Sequence, residues 1–380
     1  MTDPETRGKH AAPSARSLFH LPEGGPYLIA HSVGCLPLAA RDSAEQAFFA
    51  PWETAGGDAW PQWLGAVDAF RSALVDLFGG EARQWCPQPG VSAAISRIIS
   101  GLECRPGRNV VLISEHAFPS VAYAVEGLSR LGFRMELVTG DPSDLSNWRR
   151  LGDPDIAVVV MMHVHSNTGI LSPVAELTAM AKARGVFSIV DIAQSAGVLP
   201  ISVDAWDADA VVGTSVKWLS GGPGACFAWI SPEVIERIMP VERGWFSHAN
   251  PFEMDIHHFA FAPDARRLWG GTPSVAPLVI ATAGLRTVAG IGVAAIRAHN
   301  LDLSGRLLGR MDLGFADPGI LAQRGGTLCL ILDEHHEAAL KADGVRFDRR
   351  GPRLRLSFGI WNDEADVDRV ADCLRSAKRG

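Results

Sequence analysis

Two side chains, Asp191 and Lys217, are of types that do chemistry together, and each stands where an open sheet would expose it. Residues 185–230 hold three short apolar runs, 186–190, 209–213 and 225–230, each bounded by turn residues. Runs of that length suit buried strands. Asp191 ends the first run and Lys217 lies just past the second. Ligand sites in open α/β sheets lie beyond the carboxyl ends of strands, so both side chains can reach one crevice. One use of such a pair is a structural ion pair. The other is covalent chemistry. Pyridoxal phosphate requires a lysine that forms a Schiff base with its aldehyde and an acid that keeps its ring electron-poor.

Other groups could serve such a site. Gly90, Val91 and Ser92 follow a Pro87-Gln88-Pro89 turn and open a helix with Ile95, Ile98 and Ile99 on one face. Such a helix start is either a plain cap or an anion site, where amides point outward and the dipole favours negative charge. Alternation puts Arg353 and Arg355 on one face of a strand, as a carboxylate clamp or as an exposed basic edge. His163 and His165 share a strand face but have no third ligand near them, so no metal site is assigned. Cys35, Cys86, Cys104, Cys226, Cys329 and Cys373 are scattered with no CxxC pair, which suits free thiols in a cytoplasmic chain.

The elements that must position these groups alternate. Residues 109–114 and 157–162 read as strands, and 64–78 and 173–184 as helices. That repetition predicts an α/β fold with a mostly parallel sheet between helices. From about Pro277 the pattern changes to helices over 276–289 and from 293, then strands over 328–332 and 354–358. The expected organisation is an N-terminal arm and substrate-side segment over 1–40, a large domain over 41–275 and a small α+β domain over 276–380. Trp52, Trp60 and Trp63 read as core. A chain of 380 residues can bury a large core. Its net charge of −7 speaks against nucleic-acid binding. No apolar run reaches the roughly 18 residues of a membrane span, and residues 1–17 lack the apolar core of a secretory signal.

Several motifs together carry a resemblance. They are Asp191-Ile192-Ala193-Gln194-Ser195-Ala196-Gly197, Asp204, Asp209, Thr214-Ser215-Val216-Lys217-Trp218 and Gly221-Gly222-Pro223-Gly224. Phe118-Pro119, Gly244-Trp245-Phe246-Ser247-His248, Gly271-Thr272-Pro273 and Arg355-Leu356-Ser357 extend them. Over about residues 27–376 the chain resembles the class V aminotransferase family of pyridoxal phosphate enzymes, and within it the kynureninases. The resemblance implies fold type I: a mostly parallel seven-stranded sheet between helices, plus a small C-terminal α+β domain. It implies that Lys217 carries the cofactor and acts as catalytic base and acid. Asp191 would meet the ring nitrogen, Phe118 would stack on the ring, and Gly90, Val91 and Ser92 would surround the phosphate. Gln194 and Thr214 would be further cofactor contacts. Trp245 would reach the phosphate, and Thr272 would serve the phosphate of a neighbouring subunit, which makes a homodimer with composite sites. Arg355 would hold the substrate α-carboxylate, with Ser32, Gly34 and His248 near the substrate and Asn167 or Thr168 lining the pocket.

The chain departs from the kynureninase pattern at chemically important places. Val216 stands where those enzymes have tyrosine, Val121 where they have aspartate, and Gln194 where they have histidine. Desulfurases of the class share the glutamine, but residues 344–353 offer no cysteine nucleophile, so persulfide chemistry is not expected. The first expectation is a kynureninase-like lyase or hydrolase acting on an amino acid. An aminotransferase or epimerase of the same class comes next. A catalytically altered cofactor-binding protein would not need Lys217, Asp191 and Arg355 together. A nicotinamide dehydrogenase would need a GxGxxG after an early strand, which is missing.

Overall fold

The computed structural model describes residues 15–311 and 318–377. Of the stretch expected as an N-terminal arm, residues 1–14 lie outside the described residues. A short antiparallel ribbon, β1 (Phe19–His20) with β2 (Leu36–Pro37), brackets the substrate-side segment. The strand expected inside it is reduced to isolated bridges at Tyr27 and Ile29, and the next helix begins at Ala39. Helices α1 (Ala39–Ala44), α2 (Ala50–Ala55) and α3 (Trp60–Phe78) follow. The α3 helix buries Val67, Phe70, Leu74 and Phe78, the face its apolar spacing predicts. Trp60 and Trp63 are partly buried beside Phe48 and Phe246. Trp52 is exposed, so it is not the core residue its type suggests.

Seven strands form the main sheet: β3 (Trp85–Gln88), β4 (Val110–Ser114), β5 (Arg134–Val138), β6 (Ile156–Met162), β7 (Phe187–Asp191), β8 (Ala210–Thr214) and β9 (Cys226–Ile230). Between them run α4 (Val91–Ser100), α5 (Pro119–Gly127) and α6 (Val174–Ala183). The strand order is β3-β9-β8-β7-β6-β4-β5, and β9 alone runs against the others. Every residue of β4, β7 and β8 is buried, as in a sheet covered on both faces. The chain steps outward from β4 to β5, whereas β6, β7 and β8 step the opposite way. The carboxyl ends of β4 and β6 therefore flank a switch point, the place where such sheets bind ligands.

Helices α7 (Val275–Ile291) and α8 (Val293–Met311) come next. The α7 helix starts where the small domain is expected, yet it packs along α3 in the larger core. A second core gathers Leu303, Leu307, Leu330, Leu340, Leu354 and Val370. It involves α9 (Pro318–Ala322), β10 (Leu328–Ile331), α10 (Glu334–Ala342), β11 (Asp348–Arg350), β12 (Arg353–Leu356) and α11 (Glu364–Ala377). The three strands form an antiparallel sheet in the order β10-β12-β11. Leu28, far away in sequence, belongs to this second core. Its N–H donates to the Arg346 carbonyl, and its own carbonyl accepts from Ser357 N–H. No single described helix is long and apolar enough to cross a membrane.

Candidate active site

Strand ends deliver the two reactive groups. Asp191 is the last residue of β7, and Lys217 lies in the turn after β8, whose last residue is Thr214. Asp191, Lys217 and Thr214 line one cavity, together with Val91, Ser92, Phe118, Ser120, Val121, Met162, Val164, Ser166, Ala193, Gln194 and Cys226. The lysine turn is held tightly. Ser215 Oγ donates to the Ala225 carbonyl at 2.6 Å, Gly221 N–H to the Ser215 carbonyl at 2.7 Å, and Gly34 N–H to the Val216 carbonyl at 2.8 Å. Ser220, just after the lysine, takes a φ of 53°, a left-handed conformation that costs a non-glycine residue free energy.

The electrostatics follow from burial. Removal from water pushes the Lys217 amine below its usual range; Asp191 opposes that shift and Arg355 adds to it. An amine so placed is more often unprotonated, and so nucleophilic. Burial raises Asp191, against the Ala193 N–H that Oδ1 accepts at 2.8 Å and against Lys217. Its Oδ2 has no hydrogen-bond donor among the described residues. Phe118 covers the lysine: its ring centroid lies 5.7 Å from Lys217 Nζ.

Two helices start at this cavity. The α4 helix begins at Val91 after Gly90, and α5 begins at Pro119 after Phe118; neither start has a side-chain cap. The start of α4 offers first-turn amides to an anion, whereas in α5 Pro119 has no N–H and Val121 N–H already donates to the Phe118 carbonyl at 2.9 Å. Gln194 is buried and donates from Nε2 to the His31 carbonyl at 3.2 Å. These donors fit pyridoxal phosphate: an amine for its aldehyde, an acid for its ring nitrogen, an aromatic face for its ring and uncapped amides for its phosphate.

Other residues expected near the site lie elsewhere. Ser32 is exposed in the turn above. Gly34 packs against the lysine turn, where a Cβ would lie 2.3 Å from the Lys217 carbonyl oxygen. Trp245 and His248 line a different cavity, and His248 Nδ1 accepts from Asn250 N–H at 2.9 Å. Thr272 lies in a third, and its Oγ1 accepts from Trp245 Nε1 at 3.2 Å. Arg353 does not share a setting with Arg355; it lines a cavity with Leu328, Cys329 and Leu330. His163 and His165 are held by serines, with Nδ1 of the first 3.0 Å from Ser195 Oγ and Nε2 of the second 3.0 Å from Ser172 Oγ.

Arg355 itself is almost fully buried, at 2% exposure, and already partnered. Nε donates to Asp348 Oδ1 at 2.6 Å, Nη2 to Asp348 Oδ2, and Nη1 to the Ser166 carbonyl at 3.0 Å. Behind it, His31 Nε2 lies 3.1 Å from Asp348 Oδ1 and His31 Nδ1 2.6 Å from Ser357 Oγ. Burial pushes Asp348 up, but the hydrogen bonds from His31 and Arg355 outweigh it and hold the carboxyl well below the usual range. Sequence reasoning misses Asp348, Arg350, Ser120, Ser166 and Cys226. Ser120 had a signal, since it follows Phe118-Pro119 at a helix start. Cys226 faces the cavity from β9 opposite Thr214, and burial raises its thiol. A buried strand thiol is not a mobile nucleophile.

Comparison with known proteins agrees with this reading of fold and cofactor. The family model described as aminotransferase class-V matches residues 88–370. The chain is 30% identical over 375 residues to a kynureninase of Deinococcus radiodurans, covering 93% of this chain and 90% of that one. It is 29% identical over 368 residues to a kynureninase of Pseudomonas fluorescens, covering 91% and 86%. Among solved structures, the apo cysteine desulfurase of Thermococcus onnurineus NA1 superposes with a TM-score of 0.81 at 19% identity, covering 94% of this chain and 95% of that one. The match over most of the chain, and a cavity whose donors suit one cofactor, lead to one assignment: this chain belongs to the class V aminotransferase family of pyridoxal phosphate-dependent enzymes.

Proposed function

We propose that this enzyme acts on an amino acid through a covalent lysine, Lys217, and that its reaction is a kynureninase-like cleavage of the substrate side chain. The observation that carries the reading is the placement of Lys217 and Asp191 on the wall of one cavity, beneath Phe118. Bound there, pyridoxal phosphate supplies an electron sink for the pair left behind when a bond to Cα breaks. Asp191 holds the proton of the ring nitrogen through Oδ2. Phe118 covers one ring face. The first-turn amides at Val91 and Ser92, after Gly90, and the hydroxyls of Ser92 and Ser120 hold the phosphate. Gln194 and Thr214 fix the ring edge. Lys217, its basicity lowered by burial, takes and returns the Cα proton. The substrate α-carboxylate meets Arg355.

Trp245 and Thr272 stand together outside the Lys217 cavity, which supports a role toward a second copy of the chain in a homodimer. Val121 and Val216 favour a second reading, amino transfer. Val121 forms an apolar wall of the cavity at 2% exposure, where cleavage with water would draw on a polar group.

Borohydride treatment of the yellow protein should fix a pyridoxyl group on the Lys217 peptide, found by mass mapping. Attachment at any other lysine would remove the reading. L-kynurenine should be cleaved to anthranilate only slowly; rapid turnover would show that Val216 and Val121 are no obstacle.

A further inference from the structure

A second guanidinium stands beside the Phe118 ring that lines this cavity and makes no ion pair among the described residues. Arg350 ends β11, at the turn where Gly351 takes a φ of 56°. Its neighbours are committed: Arg349 pairs with Glu337, and Arg355 with Asp348. Asp348, two residues back on β11, pairs with Arg355 and His31 and forms no ion pair with Arg350. The Arg350 side chain has two contacts. Nη1 lies 3.5 Å from Asn167 Oδ1, and Cζ sits 5.4 Å from the centroid of the Phe118 ring. Lys217 Nζ lies 5.7 Å from that same centroid. One aromatic ring thus carries the reactive lysine and a half-buried cation.

Desolvating a guanidinium against an aromatic face is costly unless something repays it, and a cation–π contact repays only part. The ordinary complement of such a group is a carboxylate gripped by two parallel N–H bonds. The α-carboxylate is accounted for by Arg355, whose Nη1 and Nη2 each keep one N–H. A second anionic group must therefore come from the side chain of the substrate. We infer that Arg350 recognises a side-chain acid, and that the preferred substrates are amino acids with an acidic side chain, carboxylate or sulfinate. This rests on the proposal that the Lys217 cavity receives amino acids.

The test uses the holoenzyme and its visible band, titrated with L-aspartate, L-asparagine, L-glutamate, L-glutamine, L-cysteine sulfinate and L-alanine. Each acid should bind at least about tenfold more tightly than its amide, the size of one charge-assisted contact. Arg350→Gln, checked for a native band, should bring the acid-to-amide ratio close to one. Arg350→Lys should keep part of the preference. Equal affinity for acid and amide in the wild type overturns the inference, as does a preference that survives Arg350→Gln. If alanine and the amides shift the band while acids gain nothing, this inference alone fails. If no amino acid shifts the band, the proposal that the cavity receives amino acids fails, and this inference with it.

Discussion

Asp348 grips Arg355 along the side of the guanidinium, through Nε and Nη2, while Nη1 donates to the Ser166 carbonyl. Of the five N–H donors, Asp348 takes two and the Ser166 carbonyl takes one. The two that remain sit one on each terminal nitrogen, spaced for a carboxylate.

A prediction follows for both partners. Arg355→Ala should weaken amino-acid binding on the order of a hundredfold, and Arg355→Lys should not restore it, since the fork is lost. Asp348→Asn should weaken binding about tenfold by freeing the fork to rotate. Titration with an amino acid and its methyl ester separates orientation from general damage. Asp348→Asn should harm the acid and spare the ester; equal harm to both would refute the positioning role.

Gly34→Ala should disturb the lysine turn. The added methyl would lie 2.3 Å from the Lys217 carbonyl oxygen and 2.8 Å from Ser220 Cα, and backbone cannot swing aside as a side chain can. Overpacking of this kind costs roughly 1–3 kcal/mol. Cofactor occupancy, read from absorbance, and Tm should both fall. A variant with full occupancy and unchanged Tm would show that the turn adapts freely.

Acid should destabilise the fold before its carboxylates titrate. Burial lowers His163 and His165 from 6.5 to about 4, and lowers His31 as well. In the unfolded chain these rings take up protons below 6.5, whereas in the folded chain His163 and His165 refuse them until near 4. Stability is therefore complete above 6.5 and declines as pH falls, by about 1.4 kcal/mol per pH unit for each ring at most. Urea unfolding between pH 6.5 and 5 should show this slope, and His163→Gln should reduce it. A pH-independent midpoint would mean that these rings protonate in place.

The Trp245–Thr272 pair bears on assembly. Thr272→Ala should weaken cofactor retention in a protein that sediments as a dimer. A monomer with full cofactor occupancy would rule out a composite site.

The sequence shows the catalytic half of this site more clearly than the substrate half. Asp191 and Lys217 are readable because strand ends fix them: an apolar run that ends in an acid leaves its side chain one place to go. The strands near 109–114, 157–162, 186–190, 209–213 and 225–230 and the helix start near Val91 read from the same local pattern, whereas β3, β5 and the helix start at Pro119 do not. The substrate side depends on long-range packing that no local pattern encodes. Alternation groups Arg353 with Arg355, yet Arg355 is drawn to Asp348 across the β11–β12 pair while Arg353 faces another cavity. Arg350 acquires its meaning only from the hairpin that carries it to Phe118. Gly34 looks like an ordinary turn glycine until its contact with the Lys217 backbone is seen.

The segment that carries Gly34 also has a consequence for the order in which the enzyme can be made. Its 26–31 stretch is bound to the far end of the chain, through Arg346 N–H to Pro26, Ser357 N–H to Leu28 and the His31–Ser357 contact across 326 residues. Gly34 then braces Val216 and Lys217. On the ribosome, residues 85–230 can pair their sheet long before residue 357 emerges, but the ties that anchor the segment leading to Gly34 cannot form until it does. The segment that supports the reactive amine is thus anchored among the last steps of synthesis, and loss of residues from 346 onward would leave its 26–31 end untied beside an otherwise assembled sheet.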